Sequence, residues 1–215
     1  MKVIIIGGIG TAVNIAEQII DANKNYNSGI EFLGYAIDDA TLGEIINGYP
    51  VLCKITEVSQ RYRSDEIKFI FSLYKPEMMK GRIKLREDLN IPDNRFATFI
   101  HPSVFIAQSS KIGAGNVILS NSTIQQKVTI GNYNIINSNV VIEHETNIGN
   151  SNFIAASVCV GSKVKIGNGN FLGLNSTFKE KVELYDYIFI GMGSNVIKSC
   201  VTPGIYYGNP CKQVK

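Results

Sequence analysis

From about residue 100 onward the chain carries an apolar residue at every sixth position. Ile106, Ile112, Ile118, Ile124, Ile130, Ile136, Ile142, Ile148, Ile154, Val160, Ile166, Leu172, Phe178, Leu184, Ile190 and Val196 form an unbroken series of sixteen. At the chain-wide hydrophobic frequency of 45%, such a run arises by chance about three times in a million. A second period of eighteen lies on top of the first. Gly113, Gly131, Gly149 and Gly167 each follow an isoleucine at that spacing, and Asn116, Asn134, Asn152 and Asn170 keep step with them. Hexads grouped in threes describe a coil with three sides, each a short strand and a turn, with one aliphatic per side facing a shared interior. That is the pattern of a parallel β-helix. Glycines are expected where a corner needs positive φ or close approach. Asparagines are expected at corners or in ladders. Sixteen hexads make about five coils, a stack of roughly 25 Å at the usual strand spacing.

The first hundred residues follow other periods. KVIII at 2–6 is a buried-strand run that ends in GGIG. In TAVNIAEQIIDA, residues Ala12, Ile15, Ile19 and Ala22 recur at helical spacing with Ala16 beside them. EFLGYAIDDA (31–40) and IKFIFSLY (67–74) read as further strands, and PEMMKGRIKLREDL as a helix after the latter. Alternating β and α over about 95 residues predicts a small Rossmann-like domain. The chain thus divides into an α/β Rossmann-like part at 1–98, a β-helix at 99–198 and a C-terminal tail at 199–215.

Composition narrows the function classes. Among 215 residues the net charge is +3, and the densest basic run, KGRIKLRED, also contains acids; a nucleic-acid surface is not indicated. No apolar run reaches the roughly 18–20 residues of a membrane span, and MKVIIIGGIG lacks the long apolar core of a signal peptide. Four cysteines, Cys53, Cys159, Cys200 and Cys211, show neither CxxC spacing nor a dense framework, which points to a reduced, cytoplasmic setting.

Chemistry concentrates at VVIEHETNIGN, 140–150. His144 stands two residues after the inward Ile142, near a corner and turned outward, between Glu143 and Glu145. It is the one histidine of the sixteen hexads. A carboxylate beside it can orient the ring and stabilise its protonated form, as a general base requires. One coil away on the same column lie Gln126 and Ser162, which leave the ring accessible. A three-histidine zinc site fails on counting, because the chain has only His101 and His144. Cys159 has no second histidine in the repeat to activate it and is read as structural. GGIGTAV is a weak dinucleotide fingerprint, equally a plain βα turn or a mononucleotide phosphate contact.

The segments KVIIIGGIG, YAIDD, GYPVLC, FATFIHPSV, the hexads with VIEHETNIG, and YYGNPCK run end to end. Together they resemble the hexapeptide-repeat bacterial sugar O/N-acyltransferases of the sialic acid O-acetyltransferase group. The resemblance implies that the prism is an all-β left-handed parallel β-helix, and that the protein is a homotrimer with active sites between neighbouring subunits. It implies acetyl-CoA as co-substrate with no metal, and a nucleotide-linked amino sugar as acceptor. His144 then matches the general base and Glu145 its acidic partner. Ser162 falls where a backbone N–H would meet the thioester carbonyl, and Leu174 and Gly191 fall on the coenzyme A groove. Gly8 and Gly10 fall in the turn near the nucleotide-sugar phosphates, and Asp38 and Asp39 near the base and ribose. The chain departs from the family at Gly10-Thr11, where a glycine-histidine pair is frequent; at SLYKPEMM, where Gly-Asn often follows the third strand; and at Phe153, where a second histidine often sits. An acetyl-CoA-dependent sugar N-acetyltransferase serving surface glycan synthesis is expected. Sugar O-acetylation and a non-catalytic nucleotide-sugar-binding prism are the alternatives.

Overall fold

The computed structural model describes residues 1–214; Lys215, the end of the expected tail, lies outside them. The N-terminal part is a five-stranded sheet in the order β3-β4-β2-β1-β5, built from β1 (Lys2–Ile6), β2 (Glu31–Ala36), β3 (Ile45–Ile46), β4 (Tyr49–Cys53) and β5 (Ile67–Phe71). β1, β2, β4 and β5 are parallel, and β3 turns back antiparallel on β4. Between β1 and β2 runs α1 (Thr11–Tyr26), which buries Ala12, Ile15, Ala16, Ile19 and Ala22, the face its spacing predicts. The short α2 (Val58–Arg61) precedes β5, and α3 (Met79–Asp88) follows it. No helix among the described residues is long and apolar enough to cross a membrane.

Two strands are shorter than their sequence runs. The one expected over 31–40 stops at Ala36, because the Asp38 and Asp39 carboxylates turn onto nearby N–H groups. The one expected over 67–74 stops at Phe71, after which Tyr74 N–H closes a tight turn onto the Ser72 carbonyl.

The second part is a three-sided parallel β-helix. Its strands stack at eighteen-residue intervals into three faces, named here A, B and C in chain order. Face A runs from Phe99–Ile100 through Val117–Ile118, Ile135–Ile136, Phe153–Ile154 and Phe171–Leu172 to Ile188–Ile190. Face B runs from Phe105–Ile106 through Val141–Ile142 to Asn195–Val196, and face C from Lys111–Ile112 through Asn147–Ile148 to Glu183–Leu184. Register is strict: Ile124 pairs with Ile142 and Ile142 with Val160, each aliphatic directly above its equivalent. From Ile118 to Val196 every residue of the six-residue series is buried. Ile100 adds one more rung below. The tail is ordered into the prism as well: Gly204–Tyr207 extends face A beside Ile188–Ile190, and Lys212–Gln213 pairs antiparallel to it.

Of the two roles expected of the repeating glycines, they fill close approach, and positive φ falls elsewhere. Positive φ recurs every sixth residue from Gly115 to Gly193, three positions after each inward residue, and mostly on residues other than glycine: Asn121, Lys127, Tyr133, Asn139 and Glu145 among them. Gly113, Gly131, Gly149 and Gly167 serve close approach instead. A Cβ on Gly149 would lie 2.6 Å from the Gly167 carbonyl oxygen of the next coil. The asparagines form a buried ladder. Asn134 Oδ1 accepts from Asn152 N–H at 2.9 Å, and its Nδ2 donates to Gly149 O at 3.0 Å. Asn134 is fully buried, so Asn134→Ala strips both groups of a partner. We expect a loss of about 2–4 kcal/mol in denaturant unfolding, with the fold retained; an unchanged midpoint would mean that water replaces the ladder.

The N-terminal domain covers face A. Val117, Leu119 and Ile135 share one core with Ile15, Ile19 and Ile70. α3 docks on the edge between faces C and A through cations over rings, with Arg86 3.7 Å above Tyr133 and Lys80 4.7 Å above Tyr187. Face B stays open, with Phe105 57% exposed and Cys159 also exposed.

Candidate active site

His144 lies on the edge between faces B and C, two residues past Ile142 and one before the positive-φ corner at Glu145. Its side chain is 37% exposed. Nδ1 sits 3.2 Å from Glu145 Oε1. A carboxylate at that distance takes a hydrogen bond from Nδ1–H, and the proton-accepting lone pair is then left on Nε2. Glu145 in turn lies 3.7 Å from Lys163 Nζ. The hydrogen bond to His144, with the charges of Lys163 and Lys127, holds the Glu145 carboxyl below its ordinary range. Its stabilised state is therefore the anion: the pair is present at neutral pH and weakens only on acidification through that lowered value. Lys163 and Lys127 escaped the sequence reading, although both stand eighteen residues from Glu145, one coil up and one coil down.

Ser162 occupies the same edge one coil beyond His144. Its carbonyl accepts from Lys181 N–H at 2.9 Å, while among the described residues nothing accepts from its own N–H. That leaves one backbone donor uncommitted one coil beyond the imidazole. Cys159 stands nearby on face B, but partial desolvation and the Glu143 carboxylate push its thiol up, so it is no thiolate nucleophile at neutral pH.

Leu174 and Gly191 do not join this group. Leu174 is 51% exposed on the edge between faces A and B, in the column of Ser120, Ser138, Ala156 and Met192. Gly191 is buried beneath the Tyr207 ring, which occupies the space a Cβ would need. Phe153, on face A, is packed between Tyr74 and Phe171.

In the N-terminal domain, Gly10 has φ +53° and caps α1 with no side-chain bond and no acid in the first turn. Gly8 is buried, a Cβ there coming within 3.0 Å of Ile46. Both glycines line a cavity of about 600 Å³ with Val13, Asn14, Ile45 and Asn47. Asp38 and Asp39 line a different one, of about 490 Å³. Asp38 accepts from Ile55 N–H at 2.8 Å and Asp39 from Thr41 N–H at 3.0 Å. One oxygen of each carboxylate is thereby committed to local structure. His101 is buried and bonded to Asp21, away from His144. Among the described residues no three His, Cys, Asp or Glu side chains gather where a metal could be held.

Residues 109–144 match the bacterial transferase hexapeptide family, described as six repeats. No curated protein sequence matches the chain significantly. Solved structures do match over its full length. The acetyltransferase domain of PglB from Neisseria gonorrhoeae FA1090, in complex with acetyl coenzyme A, is 19% identical; the match covers 99% of this chain and 98% of that one with a TM-score of 0.84. A variant of perosamine N-acetyltransferase from Caulobacter crescentus, in complex with CoA and GDP-perosamine, is 21% identical over 100% and 97% with a TM-score of 0.83. WeeI from Acinetobacter baumannii AYE is 19% identical over 100% of both chains with a TM-score of 0.82. The chain therefore carries the bacterial transferase hexapeptide repeat over two coils of the prism, residues 109–144, the last of them His144, within the Rossmann-like plus left-handed β-helix fold of these acetyltransferase structures.

Proposed function

We propose that the protein moves the acetyl group of acetyl-CoA onto the amine of a nucleotide-linked amino-deoxy sugar. The observation that carries this reading is the outward imidazole of His144, braced by Glu145 at Nδ1 and free at Nε2. The whole-length likeness to structures described as an acetyltransferase domain and a perosamine N-acetyltransferase supports it. In the proposed mechanism Nε2 takes a proton from the acceptor nitrogen as that nitrogen bonds to the thioester carbon. The developing oxyanion accepts from the Ser162 N–H. Collapse then breaks the carbon–sulfur bond, and the imidazolium returns its proton to the departing thiolate.

The same geometry favours a trimer. Within one chain, the His144 edge and the Leu174 edge lie on opposite sides of face B and cannot meet. Three copies with face B turned inward would set the B–C edge of one against the A–B edge of the next. The exposed Phe105, Cys159 and neighbouring Val141 give that face the apolar surface such packing buries. A nucleotide phosphate would take the uncapped end of α1 at Gly10.

The test is release of coenzyme A thiol from acetyl-CoA across UDP-, dTDP- and GDP-linked 4-amino-4,6-dideoxyhexoses. Turnover of at least one, with acetyl-CoA consumed stoichiometrically, is expected. Tight nucleotide binding without turnover of any would favour a sensor instead.

A further inference from the structure

Two polar contacts away from the His144 edge fix α1 to the prism. Gln18 Oε1 accepts from Ser120 N–H at 2.7 Å, and its Nε2 donates to Ser138 Oγ at 2.9 Å. One turn further along the helix, Asp21 Oδ2 lies 2.9 Å from Nε2 of His101, which is 2% exposed. His101 Nδ1 accepts from Ser103 N–H at 3.2 Å and faces Ser103 Oγ at 2.8 Å. Ser103 Oγ already accepts from Asn121 N–H at 2.9 Å, so its own hydrogen points to Nδ1, and Nε2–H is the donor to Asp21. The order Asp–His–Ser is that of a hydrolytic relay, but the Ser103 hydroxyl is committed at both ends, to Asn121 N–H and to Nδ1. The chain is a clasp.

Stability alone does not call for this clasp. α1 already buries five apolar residues, and a histidine–carboxylate pair whose acid is 44% exposed adds little to stability. What such a pair supplies is a single permitted register. The helix it fixes starts at the glycine turn, roughly 12 Å from Gln18 at 1.5 Å per residue. At the other end of the contact, Ser138 belongs to the same coil as His144, the coil whose inward residues are Ile136, Ile142 and Ile148.

From this juxtaposition we infer that Gln18, Asp21 and His101 are positioning residues, setting the height of α1 on the prism and with it the height at which an acceptor held at the glycine turn meets His144. The inference rests on the proposed acetyl transfer. Between copies related by a threefold axis along the prism, the A–B edge bearing Ser138 faces the neighbouring B–C edge at the level of His144. A displacement of about 1 Å in that approach is enough to cost on the order of 10²-fold in rate.

The test compares wild type with Gln18→Ala, Asp21→Ala and Asp21→Asn, using acetyl-CoA and whichever of the three nucleotide-linked 4-amino-4,6-dideoxyhexoses the wild type acetylates. Gln18→Ala and Asp21→Ala should each lower kcat about 10–100-fold. The Kd for the same nucleotide sugar by calorimetry and the KM for acetyl-CoA should stay within about twofold. Asp21→Asn keeps a carbonyl to accept from Nε2–H and should retain kcat within about threefold. A purely structural role would lower binding and melting temperature together with kcat, and that pattern overturns the inference. So does an unchanged kcat in Gln18→Ala, which reads the contact even where Asp21→Ala fails to fold. Wild type inactive on all three acceptors would instead overturn the proposed function, and the inference with it.

Discussion

His144→Ala is expected to slow acetyl transfer by about 10²–10⁴-fold, the usual share of a positioned general base, without disturbing the prism. The two effects separate because of where the residue sits. Its side chain is 37% exposed at a corner, and the coil beneath it is held by Ile142 and the buried Thr146. The size of the defect also reports on the acceptor. An amine regains its lone pair as the solution becomes more alkaline, so the variant's rate should rise about tenfold per pH unit until the amine's own titration is complete. A hydroxyl acceptor has no such route and would leave the variant inactive across the range. Thiol release between pH 6 and 9.5, beside a thermal melt of each protein, measures both. Full activity with the ring removed would take away the base and the mechanism built on it.

The prism was legible because one constraint repeats. Each inward aliphatic must lie over the last, so burial imposes a residue class at every sixth position, and the spacing alone exposes it. The corners impose a conformation and not a class. Positive φ falls on Lys127, Tyr133, Glu145 and Ser151 alike, and no single residue type marks them. In the first domain, β3 and β4 went unread although their link, Asn47-Gly48, has positive φ at both residues and is a strong hairpin signal. Asp38 and Asp39 show the opposite case. Their carboxylates are drawn to Ile55 and Thr41, and the first of these partners lies seventeen residues away, beyond any local pattern. The separation of His144 from Leu174 was within reach of arithmetic. Ile142 and Leu172 are thirty residues apart, which is not a multiple of eighteen, so His144 and Leu174 must stand on different edges. Ser162, eighteen after His144, must share its edge.

In the trimer proposed above, that separation predicts that two inactive variants restore each other. Take His144→Ala, which removes the base from the B–C edge, and Leu174→Asp, which puts a charge on the exposed A–B edge. Each homotrimer has every seam damaged, the first on one side and the second on the other. Mixed trimers contain seams in which an intact His144 edge, from a Leu174→Asp copy, faces an intact Leu174 edge from a His144→Ala copy. With equal amounts and random exchange, about one seam in four is wholly intact, and activity should return to about a quarter of the wild-type rate. Co-expression followed by thiol release measures it, with sedimentation to establish that both variants remain trimers. A site built within one chain gives no recovery at all, because no copy in the mixture then carries both intact edges.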